Sequence, residues 1–187
     1  MKKVETEKSV LELGCGSRKV DDSKAFTVDL RKLNSPDLVH DLEDTPWPLP
    51  DNQFEEVYLR HVLEHITNWQ SVMKELHRVC KSGAIVHIWS PHPSVSIFSP
   101  DHKTHFTPGS LAKHVDPSHH EYIGVEFELI HRELHWRHYS RRNSGIGGTI
   151  GKLVDAVANR FYGVFNQYLW AYFGGFEEFY MKLQVKK

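Results

Sequence analysis

The first half of the chain alternates short apolar runs with polar connections. SVLEL at 9–13, AFTVDL at 25–30, PDLVHDL at 36–42 and FEEVYLR at 54–60 each have strand length, and the first suits a strand buried on both faces. TPWPLPDNQ at 45–53 is a proline-rich loop ending in turn residues. From His61 to Val79 the period changes. Val62, Leu63, Ile66, Trp69, Val72, Met73, Leu76 and Val79 recur at three and four, predicting a helix with one buried stripe, and Asn68 is placed to cap a second segment within it. Lys81–Gly83 marks a stop, and AIVHIWS at 84–90 predicts a fifth strand ending at Pro91. Strands alternating with helical or loop connections imply a mostly parallel, doubly wound α/β sheet with ligands beyond the carboxyl ends of its strands.

The second half is less regular. Residues 110–115 predict one or two helical turns, and 122–136 contain a long strand. After RRNSGIGG at 141–148, the stretch 152–173 predicts an amphipathic helix weakened at Gly163. Phe179, Met181, Leu183 and Val185 then alternate, as in a strand with one covered face.

Composition narrows this to one domain. The 187 residues are 40% hydrophobic and 25% charged, enough for one sizeable core. The 23 basic against 24 acidic residues leave a net charge of -1, which disfavours nucleic acid and anionic membranes as partners. No run of about eighteen apolar residues predicts a membrane span, and the amino end lacks an apolar run with a cleavage site, so a cytoplasmic protein is expected. Cys15 and Cys80 form neither a disulfide framework nor a metal-ligand pair.

The first chemical clue is ELGCGS at 12–17. A dinucleotide turn needs a third glycine to bring a full helix close behind the strand, its N-terminus facing a pyrophosphate. Here Lys19 stands instead, and only the eight residues 17–24 precede the second strand. Parallel strands normally need a crossover of about a dozen residues. Such a bend is poor for a pyrophosphate, which disfavours a nicotinamide enzyme, and suits a ligand needing only close backbone approach.

In this respect, and in the order of its further motifs, the chain resembles the class I S-adenosylmethionine-dependent methyltransferases over residues 9–92. The resemblance implies a seven-stranded sheet ending in the order five, seven, six, with the seventh antiparallel; 122–136 is then the sixth strand and 176–186 the seventh. It implies S-adenosylmethionine as cofactor, with Glu12, Gly14, Cys15 and Gly16 at the methionine part, Asp29 and Leu30 at the ribose, Asp41 and Leu42 at the adenine, and Arg60 and His61 following the fourth strand. A carboxylate offers acceptors to two adjacent hydroxyls, which explains an acid at Asp29. The chain departs from the family in its short first crossover and in lacking a helix before the first strand, implying a bare sheet face or one covered by a partner subunit. The segment 137–175 is expected to be a helical insertion forming a lid or a homodimer surface.

His92, His102 and His105 follow the fifth strand and are candidates to take a proton from the methyl acceptor, itself expected to be a small molecule. HVLEH at 61–65 also fits an inverted zinc-hydrolase signature if both histidines share one helix face; the expectation is nevertheless no metal. The remaining alternative is a module that binds the cofactor without turnover.

Overall fold

In the computed structural model, residues 4–17, 24–138, 145–164 and 175–187 are described. Their seven strands are β1 (Val10–Leu13), β2 (Ala25–Asp29), β3 (Leu38–Val39), β4 (Phe54–Arg60), β5 (Cys80–Pro91), β6 (Glu126–His135) and β7 (Glu178–Lys186). They form one sheet in the order β3-β2-β1-β4-β5-β7-β6. The first five are parallel, and β7 runs antiparallel between β5 and β6. This is the expected doubly wound α/β sheet. The short first crossover, residues 17–24, falls largely at 18–23, outside the described residues.

One sheet face makes the core. Leu11, Leu13, Val57, Leu59, Val86, Ile88, Met181 and Leu183 are buried there together with Val72, Met73, Leu76 and Val79 of α1 (Trp69–Val79). On the opposite face β4, β5 and β7 present Tyr58, His87, Trp89 and Tyr180, half-buried, their rings stacked across the strands at centroid spacings of 4.6 Å for Tyr58–His87 and 4.5 Å for Trp89–Tyr180. Cross-strand aromatic contacts of this kind stabilise a sheet.

In the first half three elements differ from the periodicity. The helix expected over 61–79 is split into a 3-10 turn, Leu63–His65, and α1. Ile66 is extended, Glu43 Oε1 accepts from the N–H groups of Thr67 and Asn68 at 2.8 and 2.9 Å, and Asn68 caps α1 by accepting from Ser71 N. An acid from another loop thus takes the donors that a continuous helix would have used internally. β3 keeps only two of the seven residues expected, because this edge strand turns away where Asp41 Oδ1 accepts from Glu43 N at 2.9 Å. β5 begins at Cys80, directly after α1, rather than at residue 84.

Between β5 and β6 lie α2 (Pro93–Ser96) and α3 (Pro108–His114). Before β7 comes α4 (Gly145–Arg160), fixed to β6 where Asn159 Oδ1 accepts from Leu134 N at 2.7 Å and Asp155 Oδ1 accepts from Trp136 N at 2.6 Å. Its outer face exposes Ile146, Ile150, Leu153 and Val157. The helix expected at 152–173 and weakened at Gly163 instead starts at Gly145 and is interrupted at Phe161, with Gly163 inside the short helical turn Tyr162–Val164; from 165 it lies outside the described residues.

The proline-rich loop is packed tightly, with Trp47 and Leu49 buried. Glu75 and Arg78 of α1 hold it. Glu75 Oε2 accepts from Trp47 N at 2.7 Å, and Arg78 donates to the carbonyls of Trp47 and Leu49 at 3.0 and 2.9 Å and to both Glu75 oxygens. Burial raises the Glu75 pKa, but the Arg78 guanidinium and the Trp47 N–H together bring it below its ordinary 4.5. The linked stability is therefore whole above the unfolded value and is lost as pH falls through the lower folded one. Chemical denaturation against pH should show Glu75→Gln less stable than wild type at pH 7 by about 1–3 kcal/mol, the gap closing below about pH 4.5; a gap that persists unchanged at pH 3 would contradict this account.

Candidate functional site

The site is built where β1, β2 and β4 end. Leaving β1, Gly14 and Gly16 take left-handed conformations, φ +62° and +55°. Gly14 N donates to Val28 O at 2.8 Å, which carries the β1–β2 ladder into the bend. Asp29, the last residue of β2, fixes its far side: Oδ2 accepts from Gly16 N at 2.8 Å and Oδ1 from Arg31 N at 2.7 Å. Cys15 Sγ also donates to Oδ2, at 3.8 Å, so the carboxylate draws three donors of the chain to the cleft edge.

These residues border a cleft of about 340 Å³ whose lining includes Gly14, Gly16, Asp29, Leu30, Asp41, Leu42 and His61. Seven of the ten expected cofactor residues are thereby brought together. Cys15 and Arg60 line an adjoining space with Gly14, Gly16, His61 and His138. Glu12 lines neither; it is buried and paired with Arg60. Asp41 also serves as the turn residue of β3, through its bond from Glu43 N.

His61 occupies a special position. It directly follows β4 with φ +56°, rare outside glycine, and its N–H donates to Trp89 O at 3.0 Å. Its ring lies between two acids, Nε2 2.9 Å from Glu178 Oε2 and Nδ1 3.4 Å from Glu64 Oε1. Burial lowers its pKa, but hydrogen bonding and charge at Glu178 and Glu64 push it up to about 9. Burial likewise raises Glu178, and the imidazoles of His135 and His61 bring it down to about 2.

A second cavity, of about 330 Å³, begins at His61 and is lined also by Pro91, Val95, Ser99, His102, His138 and Glu177. Of the three histidines proposed as proton acceptors, His102 alone lines it. His92 is fully buried, capping α2 by accepting from Ser94 N at 3.2 Å. His105 is exposed, its Nδ1 2.8 Å from Ser96 Oγ.

The zinc-hydrolase signature needs His61 and His65 on one helix face, and 61–65 is not a helix. His61 leaves a strand in a left-handed conformation, while His65 follows through a 3-10 turn and its Nδ1 lies 3.3 Å from Asp101 Oδ2. The two imidazoles fall in separate groups of potential ligands.

His135, His138 and Glu178 have no role in the sequence expectations, and Glu64 enters them only as the acid of HVLEH. Glu178 was hidden by strand alternation, which assigns it to the face opposite Phe179 and leaves its depth open. The doubled acid in FEEFY, at the head of an otherwise apolar-faced strand, was the available signal.

Comparison with known proteins agrees with this geometry. Residues 8–88 match the methyltransferase domain family. The solved structures that resemble the chain include a SAM-dependent methyltransferase from Archaeoglobus fulgidus, 19% identical, TM-score 0.59, covering 95% of this chain and 86% of that one. Another, from Mesorhizobium loti, is 12% identical with TM-score 0.62, covering 94% and 90%. Haemonchus contortus phosphoethanolamine N-methyltransferase 2, solved with S-adenosyl-L-methionine, is 13% identical with TM-score 0.57; the match spans all of this chain and 49% of that one. No curated protein matches the chain. Residues 8–88 are thus similar to the methyltransferase domain family, and the sheet as a whole has the class I S-adenosylmethionine-dependent methyltransferase fold. S-adenosylmethionine is the cofactor of that class.

The bend yields a stability prediction. A Cβ on Gly14 would lie 2.5 Å from Val62 Cγ2, whereas one on Gly16 meets nothing nearer than 4.0 Å. Gly16→Ala should therefore cost only the left-handed conformation, about 1–2 kcal/mol, and Gly14→Ala about 1–3 kcal/mol more through crowding against a stiff β-branched side chain. Urea denaturation of both variants measures the difference, and equal costs would contradict the packing described.

Proposed function

We propose that the protein transfers a methyl group from S-adenosylmethionine to a small-molecule acceptor. The observation that carries this is the meeting of the glycine bend and the Asp29 carboxylate at one cleft, joined by the 2.8 Å bond from Gly16 N. On this reading the bend passes beneath the methionine part, Asp29 accepts from the ribose hydroxyls, and the Asp41–Leu42 edge borders the adenine. No basic group is needed for a pyrophosphate. The cavity of about 330 Å³ beyond His61 lies in the size range of small-ligand sites and adjoins the end of the cleft, supporting a small acceptor.

The cofactor, when bound, supplies an electrophilic methyl and a good leaving group. What remains for the protein is position: to hold an acceptor atom in line with that carbon at near-attack distance. His61, between the cleft and the cavity, is the residue that both occupants would meet. Among the described residues no helix is long and apolar enough to cross a membrane.

Calorimetric titration with S-adenosylmethionine tests the assignment. Asp29→Ala should weaken binding by about 1.5–3 kcal/mol through loss of charge-assisted hydrogen bonds. Undiminished affinity in that variant would place the nucleoside elsewhere.

A further inference from the structure

Beside the cleft, where β4 and β6 end and β7 begins, two imidazoles and a carboxylate converge. Ligand atoms of His61, His138 and Glu178 all lie within 4.8 Å of one another. Glu178 Oε2 is the shared corner, 2.9 Å from His61 Nε2 and 3.8 Å from His138 Nε2. We propose that these three residues bind one first-row divalent transition-metal ion, zinc being the simplest case, through two imidazole nitrogens and one carboxylate oxygen.

The donor set selects the ion. Imidazole nitrogens suit zinc, iron, cobalt and nickel, whereas magnesium and calcium require oxygen cages. Three protein ligands around such an ion leave a position for water or substrate. The two carboxylate–nitrogen spacings are close to what coordination requires, whereas the His61 and His138 rings stack with centroids 4.7 Å apart, so His138 has to turn its nitrogen toward the ion. Bonds of about 2.1 Å in a tetrahedral array put donor atoms about 3.4 Å apart. The Glu178 oxygen would have to separate from one nitrogen and approach the other by about half an ångström each. His138 closes the longest edge; its side chain is 28% exposed, so it can swing without disturbing the core.

The surrounding residues support the same conclusion. Metal-bound histidines generally direct their other ring nitrogen to an acceptor, and ligating carboxylates are themselves held by hydrogen bonds. Glu64 is 1% exposed, and its Oε1 lies 3.4 Å from His61 Nδ1. An ion entering at Nε2 displaces to solvent the proton that Glu178 holds there and leaves the other proton on Nδ1, facing that oxygen. On the other ligand, Glu178 Oε1 is 2.9 Å from Nδ1 of the buried His135, whose Nε2 is 3.0 Å from Glu133 Oε2. A carboxylate that is 0% exposed, with one oxygen held and the other directed at two imidazoles, is arranged as a ligand.

Access lies on the functional side. His61 and His138 both line the space holding the glycine bend and the cavity beyond it. The open coordination position therefore borders the volume assigned above to the acceptor, where an ion could polarise an acceptor oxygen or nitrogen. That consequence rests on the methyl-transfer reading. The site itself does not, because none of Gly14, Asp29 and Asp41 is a ligand.

Full-length protein stripped with a chelator and exchanged into metal-free buffer is titrated with zinc chloride by calorimetry and with cobalt(II) by visible absorption. One saturable equivalent per chain is expected, with cobalt giving a ligand-field spectrum of nitrogen–oxygen coordination. His138→Ala should weaken zinc binding at least tenfold, and Glu64→Gln about ten- to hundredfold if it folds, as circular dichroism reports. The pair His119→Ala/His120→Ala, in an exposed histidine-rich loop, and His102→Ala should leave binding unchanged. Absence of a saturable equivalent would overturn the proposal, as would zinc binding indifferent to His138→Ala. Loss with His102→Ala alone would transfer the ion to the Glu64–His65–His102 group and equally overturn it. S-adenosylhomocysteine titrated into the same samples reports the cofactor cleft separately, so failure of either assignment is seen on its own.

Discussion

The hydrogen bond from Gly16 N to Asp29 Oδ2 is the constraint on which the site depends. It joins the ends of two adjacent parallel strands across a bend that glycine enters most easily, because both Gly14 and Gly16 are left-handed. Without it the carboxylate and the bend would be independent loop ends. With it they form one rigid edge, anchored below by the β1–β2 ladder and above by the Arg31 N–H on the other carboxylate oxygen. The bond also satisfies a backbone donor and a buried charge together, and either alone would be costly at a sheet edge.

The antiparallel strand β7 makes the second half of the site possible. In a wholly parallel sheet every strand brings its carboxyl end to the ligand edge. Because β7 is reversed, its first residue arrives there, and the register sets Glu178 opposite both Pro91 of β5 and His135 of β6. An acid at that place in the sheet is surrounded by residues from three strands. It persists in charged form because His61 and His135 provide what water would have provided. The topology that reverses β7 therefore also delivers a buried carboxylate to His61, which lines the cleft.

Much of this was legible along the chain, and the exceptions have identifiable causes. β4 coincides with its apolar run, and Asn68 caps the segment that its position suggested, because both depend on neighbours within a few residues. The glycines and Asp29 could be read together because their order in sequence is their order in the sheet. The longer helix from His61 failed through a distant residue: Glu43 takes the N–H groups at Thr67 and Asn68, which periodicity cannot register. His92 read as a proton acceptor from its position after β5, yet it turns inward to cap α2, a choice decided by Ser94 and Phe176. Glu178 and His138 are separated by forty positions and meet only through the insertion and the reversed strand. Local pattern carries a strand's face, whereas depth and partnership depend on the tertiary arrangement.

His61 shows how these levels combine. Its left-handed backbone costs about 1–2 kcal/mol, which a side chain free to point elsewhere would not bear. The cost is offset by a main-chain bond to Trp89 O and by carboxylates at both ring nitrogens, so backbone and ring are fixed by separate elements. The conformation places one imidazole at the boundary of the cleft, its adjoining space and the outer cavity. A group held by strand ends and buried acids is positioned more precisely than one carried on a loop. The chain therefore fixes this side chain, by backbone and by ring, where the cleft, its adjoining space and the outer cavity meet.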